Sequence, residues 1–242
     1  MILLIDAGNT RVKWGLFQDG QWHAEGALGH DELDRLHAIV ATFPRIDQAF
    51  GANVAGTRTA ERIADAVGSI IPAPQWLQSS AECCGVRNAY DAPAQLGSDR
   101  WAALIGARAL HPHACLVINA GTATTVDVLD ASGTFRGGII LPGEHLMRRS
   151  LARDTAQLPF ADGHYVAAPR NTADAITSGC RNAQAGAVER MFRQIAAAPD
   201  ACCLLSGGGA DALADVLDAP FMRIDNLVLK GLAVVATAGK TS

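Results

Sequence analysis

The chain has 242 residues, of which 49% are hydrophobic, and a formal charge of −4 at neutral pH. That length and apolar content suit one large domain or two ordinary ones and exclude general disorder. The acidic balance gives no footprint for nucleic acid or an anionic membrane, no uncharged apolar run is long enough to span a bilayer, and Asp6 comes too early for a signal peptide.

The first stretch, Met1 to Lys13, reads MILLIDAGNTRVK. An apolar run stopped by the small polar turn Asp6-Ala7-Gly8-Asn9-Thr10 predicts a buried strand ending in a loop. The loop offers a carboxylate, backbone N–H groups around Gly8, and hydroxyl and amide donors, which suit a metal-bound phosphate. The plain alternative is a tight hairpin turn. Asp6 could hold Mg²⁺ directly or through water, or simply cap the turn. Lys13 could meet a phosphate as a point charge, or be a solvated strand residue.

After this stretch, the spacing predicts a helix over 31–40 with Asp31 as its N-cap. A short strand follows from Gln48 to Val54, ending near Asn53. A helix from Thr59 to Val67 should stop near Gly68, ahead of Pro72 and Pro74. Asn88 to Gly97 is loop-like, and Ser98-Asp99-Arg100 opens a helix running from Trp101 to Leu110. Asp99 there is either an ordinary helix-start residue or a base that takes a proton from a substrate hydroxyl, with Arg100 binding an anion. Pro112 closes the helix, and the domain boundary is placed there, giving domains 1–112 and 113–242.

The second half opens by repeating the first. Cys115 to Asp127 reads CLVINAGTATTVD, so Ile5-Asp6-Ala7-Gly8-Asn9 overlies Ile118-Asn119-Ala120-Gly121-Thr122. The same offset carries Gly20 to Gly133 and Trp22 to Phe135. This is an internal duplication of a three-stranded meander. Of the hydroxyls beside Gly121, Thr122 is the strongest candidate because it lies in the turn, opposite Asn9. A third strand and abrupt turn are expected at 137–143, then a helix at 147–157 and a loop at 160–172. A long helix at 173–197 is expected to be interrupted near Gly179 or Gly186. Strand 201–205 runs into Ser206-Gly207-Gly208-Gly209, which lacks dinucleotide-fingerprint spacing and disfavours NAD. Helix 213–217, strand 221–224 and helix 227–237 close the chain. His113 and His145 read as structural, and Glu144, which follows a Pro-Gly turn, could be near the second phosphate loop but is left unassigned. The six cysteines form no C-x-x-C pair, so reduced thiols are expected over zinc or disulfides. The element order predicts an α/β fold with mixed sheets flanked by helices.

Four ordered motifs resemble the type III pantothenate kinase family. They are the Asp6–Thr10 turn with Lys13; Tyr90, Pro93 and Leu96-Gly97-Ser98-Asp99-Arg100; Gly121-Thr122-Ala123, Thr125 and Asp127; and Gly137-Gly138 with Pro142-Gly143. The resemblance implies two duplicated ribonuclease-H-like domains of the actin-like ATPase superfamily. It implies ATP-dependent phosphorylation of pantothenate, the first step of coenzyme A synthesis, in a cytoplasmic homodimer that uses Mg²⁺ and a monovalent cation. It also implies roles for particular residues. Asp6, Ala7, Gly8, Asn9, Thr10, Arg11, Val12, Lys13 and Thr122 would bind ATP. Tyr90, Gly97, Ser98, Asp99, Arg100 and Thr172 would bind pantothenate, with Asp99 as proton acceptor. The family often has Asp where this chain has Asn119, so K⁺ or NH₄⁺ should be held less firmly and dependence on K⁺ should be weak or absent. Two other readings are a non-catalytic nucleotide-binding regulator of the same fold and a kinase of another small hydroxylated acceptor.

Overall fold

The computed structural model describes residues 1–43 and 45–238. It divides into two compact units, Met1–Leu110 with Asn226–Ser242, and His111–Asp225.

The first unit begins with the meander β1 (Ile2–Ala7), β2 (Arg11–Gln18) and β3 (Gln21–Gly29). Then come α1 (Arg35–Ala41), β4 (Gln48–Asn53), α2 (Thr57–Val67) and β5 (Gln75–Trp76). The five strands form one sheet in the order β3-β2-β1-β4-β5, with β4 parallel to β1. Ile2, Leu3, Leu4 and Ile5 are all buried, as expected of a central strand covered on both faces. Leu3 and Ile5 pack with Val12, Trp14, Leu36 and Ile63 in one core cluster. A small hairpin, β6 (Glu82–Cys83) and β7 (Val86–Asn88), leads to α3 (Ser98–Leu110).

The second unit repeats the meander as β8 (Cys115–Ala120), β9 (Ala123–Leu129) and β10 (Thr134–Pro142). Helices α4 (Glu144–Asp154) and α5 (Thr172–Phe192) follow, then β11 (Cys202–Ser206), α6 (Ala210–Ala214) and β12 (Phe221–Arg223). β11 pairs parallel to β8 and β12 pairs parallel to β11. The parallel strands thus join the far side of β8, as β4 joins β1.

The duplication is visible residue by residue. β1 and β8 share one burial pattern. The second turn is one residue shorter: the Gly8 N–H donates to Arg11 O, whereas the Gly121 N–H donates to Ala123 O, both at 3.1 Å. Beyond it the offset drops by one, and β9 matches β2 in burial only when Lys13 corresponds to Thr125. The cross-strand pair Asp6–Lys13 is therefore replaced by Asn119–Thr125 in the second copy.

Several expectations need correction. Asp31 does not cap a helix: His30–Glu32 form a separate 3₁₀ turn, held by the Gly29 N–H donating to the Glu32 carboxylate at 3.0 Å. α1 starts only at Arg35. α5 is unbroken through Gly179 and Gly186, because one helical glycine costs only about 1 kcal/mol and buried neighbours on the same helix outweigh it. It ends at Phe192, short of 197. α4 begins at Glu144, three residues early, directly after the Gly143 turn. α6 likewise begins at Ala210, straight out of the glycine run.

The closing helix, α7 (Leu227–Ala238), belongs to the first unit instead of extending the second. It packs along α3 through glycines. A Cβ built on Gly231 would lie 1.7 Å from Ala102 O, and one on Gly106 would lie 2.9 Å from Gly231 N. Only two bare backbones allow that approach.

Candidate active site

In the first unit, the C-terminal ends of β1 and β4 and the N-terminus of α3 meet. The Ala7 carbonyl accepts from Val54 N–H at 3.0 Å, tying the strand ends together. The Asn53 N–H donates to Ser98 Oγ at 3.2 Å, which docks the start of α3 on the end of β4. Carboxyl ends of strands beside a helix N-terminus are where α/β sheets commonly take anionic ligands.

Asp6, Lys13 and Asp99 share this place. Asp6 and Lys13 are opposite residues of the β1–β2 ladder. Asp6 is half-buried by its own surface, yet so surrounded by protein that desolvation raises its pKa to about 7, with Lys13 opposing and Asp99 reinforcing the rise. Burial also raises the pKa of Asp99, against the pull of the Arg100 N–H and charge. The Arg100 N–H donates to Asp99 Oδ1 at 2.7 Å. Gly97 is needed there, because a Cβ on it would lie 2.7 Å from the same oxygen.

Arg100 is buried, donates to Tyr90 Oη at 3.0 Å, and stacks its guanidinium over the Tyr90 ring at 5.6 Å. Tyr90 is held in turn by Asn88, whose Oδ1 accepts from the Tyr90 N–H at 3.1 Å. Tyr90, Gly97, Ser98, Asp99 and Arg100 thus form one connected group, and Asp6 and Lys13 are coupled to it by charge. Gly8, Asn9, Thr10 and Arg11 form the turn above Asp6, with Asn9, Thr10 and Arg11 exposed, while Ala7 and Val12 are buried strand residues that can offer only backbone.

The second unit presents its own turn. Gly121 and Thr122 are exposed. The Thr122 carbonyl accepts from Gly143 N–H at 2.9 Å, and a Cβ on Gly143 would lie 2.1 Å from Gly121 O. Gly207, at φ +101°, passes close by: its Cβ would fall 2.3 Å from Ala120 O and 2.7 Å from Asn119 Oδ1. Thr172 stands apart from this turn. It is the exposed first residue of α5, on a groove of about 890 Å³ between α4 and α5, lined also by Met147, Leu151, Arg170 and Ile176.

Sequence reading missed His30, Asn53, Asn88 and Arg181 as supports, and it put Glu144 near the second loop without giving it a role. His30 shares a hydrogen bond of 2.9 Å with Gly8 O, fixing the first turn from β3's end. Asn53 and Asn88 brace the start of α3 and the Tyr90 loop. Glu144 and Arg181 pair at 2.9 Å beside Gly121. No motif announces these residues; only the glycine before His30 and the turn before Glu144 hint at them.

The arrangement suits phosphoryl transfer to an alcohol: N–H groups and a cation for phosphates, a desolvated carboxylate for a metal, and a second carboxylate for a proton. Among the described residues no cluster of three His, Cys, Asp or Glu could hold a metal alone. Asp6 fits Mg²⁺ in its usual nucleotide-bound form, with one carboxylate and the rest of the shell from phosphate and water. Its desolvated charge, opposed only in part by Lys13, is the observation that favours a cation there.

A family model described as type III pantothenate kinase matches residues 2–194. A type III pantothenate kinase of Aromatoleum aromaticum is 69% identical over 236 residues, covering 98% of each chain. One from an Azoarcus species is 55% identical, covering 98% of this chain and 91% of its own. Among solved structures, component A of Acidaminococcus fermentans (R)-2-hydroxyglutaryl-CoA dehydratase superposes with a TM-score of 0.55 at 13% identity, covering 100% and 99% of the two chains. The activator of Clostridium difficile 2-hydroxyisocaproyl-CoA dehydratase, with bound ADPNP, gives 0.56 at 11% identity, covering 98% and 93%. These two likenesses concern the fold alone.

Proposed function

The chain belongs to the type III pantothenate kinase family, whose reaction is the ATP-dependent phosphorylation of pantothenate at the start of coenzyme A synthesis, and we propose that the groups assembled above carry it. The single observation that supports this most is the placing of Asp99, a desolvated carboxylate at a helix start, with Arg100, Tyr90 and Asp6 around it. Asp99 accepts the hydroxyl proton of pantothenate as the oxygen attacks the γ-phosphorus of ATP. Arg100, presented by Tyr90, binds the pantothenate carboxylate. The Gly8 to Arg11 turn, whose own Gly8 N–H is spent on Arg11 O, and the Lys13 ammonium bind ATP oxygens. Asp6 would hold Mg²⁺, which neutralises phosphate charge when bound. A coupled ADP-release assay across hydroxyl acceptors tests the reading: pantothenate should stand out, and no turnover with it would overturn the proposal.

Asp6 gives a pH-dependent result. Its carboxyl holds a proton up to about pH 7 in the fold but only to about 4 when unfolded. The folded state therefore binds more protons in that window, and Asp6's contribution to stability falls as pH rises through it. A divalent cation must displace the proton. Calorimetry in buffers of different ionisation heat, at about pH 6, should show Mg·ATP binding releasing a proton from the wild type. The Asp6→Asn variant should release none.

Turnover is expected to persist without K⁺ or NH₄⁺, because Asn119 supplies an amide oxygen but no charge. Activity that vanishes on removing both ions would contradict this. We also propose a homodimer, supported by α4, which buries no residue of its own, by the adjoining groove, and by Leu146, Phe160 and Tyr165, which are exposed in the same unit. A cytoplasmic setting is supported by six free cysteines. No helix among the described residues is long and apolar enough to cross a membrane.

A further inference from the structure

The hairpin of β6 and β7 turns through Cys84 and Gly85, with Cys83 paired to Val86. Both turn residues have positive φ, +49° at Cys84 and +76° at Gly85, as a two-residue hairpin loop demands. This tight turn brings two neighbouring side chains to the same side: Cys83 Sγ donates to Cys84 Sγ at 3.4 Å. Both thiols are partly exposed, whereas Cys115, Cys180, Cys202 and Cys203 are buried. Nothing in the phosphoryl-transfer site uses the pair.

We propose that Cys83 and Cys84 form a preformed chelating site for a trivalent thiophilic metalloid of the arsenite class. The sulfur spacing supports this ligand over others. With bonds of about 2.3 Å, the length of a zinc–thiolate bond, sulfurs 3.4 Å apart subtend about 95° at the central atom. Tetrahedral zinc asks for about 109° and for two further ligands, and the described residues supply no cluster of three candidate ligands. Pyramidal trivalent arsenic bonds through nearly orthogonal p orbitals and completes its shell with one hydroxide. A disulfide would need the sulfurs to close to about 2.05 Å within the tight turn.

Protonation points the same way. Desolvation and the neighbouring thiol push Cys84 up to about 11, so this thiol keeps its proton near neutrality. Zinc needs thiolates. Arsenous acid does not: two As–O bonds break, two As–S bonds form, and each thiol proton leaves with a hydroxide as water. Arsenic stays trivalent, so no electrons are exchanged.

The test uses the whole protein and phenylarsine oxide, read by intact mass spectrometry under native conditions. The wild type should carry one phenylarsenic per chain, retained in excess glutathione and removed by a small dithiol. Cys83→Ser and Cys84→Ser should each lose the adduct. Cys180→Ser should keep it. A wild type that carries no adduct, or an adduct that survives either hairpin substitution, would overturn the proposal.

Discussion

Replacing Asp99 by asparagine is expected to lower kcat for pantothenate by about 10³-fold, inside the ~10²–10⁴ range of a positioned general base. ATP affinity should stay unchanged. The separation follows from the geometry. Asparagine keeps an oxygen to accept the Arg100 N–H, now at 2.7 Å, so the start of α3 holds its shape. It fits the space that Gly97 leaves bare. What disappears is the proton acceptor, whose basicity burial has raised. Single-turnover kinetics with a separate nucleotide-binding titration reads both quantities. Turnover like that of the wild type would remove Asp99 from the chemistry, and lost ATP binding would assign it a different task.

The largest effect on stability is expected from Gly231→Ala. Its new methyl would sit 1.7 Å from Ala102 O and 3.0 Å from Gly106 N, both backbone atoms on α3 that no side-chain rotation can relieve. α3 and α7 must then separate. α3 buries Arg100 through Ala107 without a gap, and its first turn carries Asp99, so the strain reaches the site. We expect a loss of about 3 kcal/mol, the upper end of ordinary overpacking costs. Turnover should fall with it. Urea unfolding measures the first and a kinetic assay the second. A stability within error of the wild type would show that α7 does not lie on α3 as described.

Much of the fold is legible in the chain because the signals are local. The apolar runs of β1 and β8 are uninterrupted, and each stops at a small polar turn that contains a glycine. The motif at Gly97–Arg100 likewise combines a loop glycine with a helix start. The duplication could be read by simple overlay. What was not legible depends on distance in sequence or on small competitions. Nothing near Gly231 says that it faces Gly106, so α7 reads as a continuation of the second half. The Glu32–Gly29 bond diverts Asp31 from a helix cap. The one-residue-shorter second turn is invisible at a fixed offset, because the next turn restores it at Gly133. The missed supports, His30, Asn53 and Asn88, act by holding backbone, a task many residue types perform and no spacing announces.

The most direct measurement is a crystal structure with a non-hydrolysable ATP analogue, Mg²⁺ and pantothenate bound together. The analogue's phosphates should lie against the Asn9–Thr10 turn and the Lys13 ammonium, with Asp99 within hydrogen-bonding reach of the pantothenate hydroxyl. An Asp99 carboxylate turned to bulk water, with the vitamin lodged elsewhere, would contradict it.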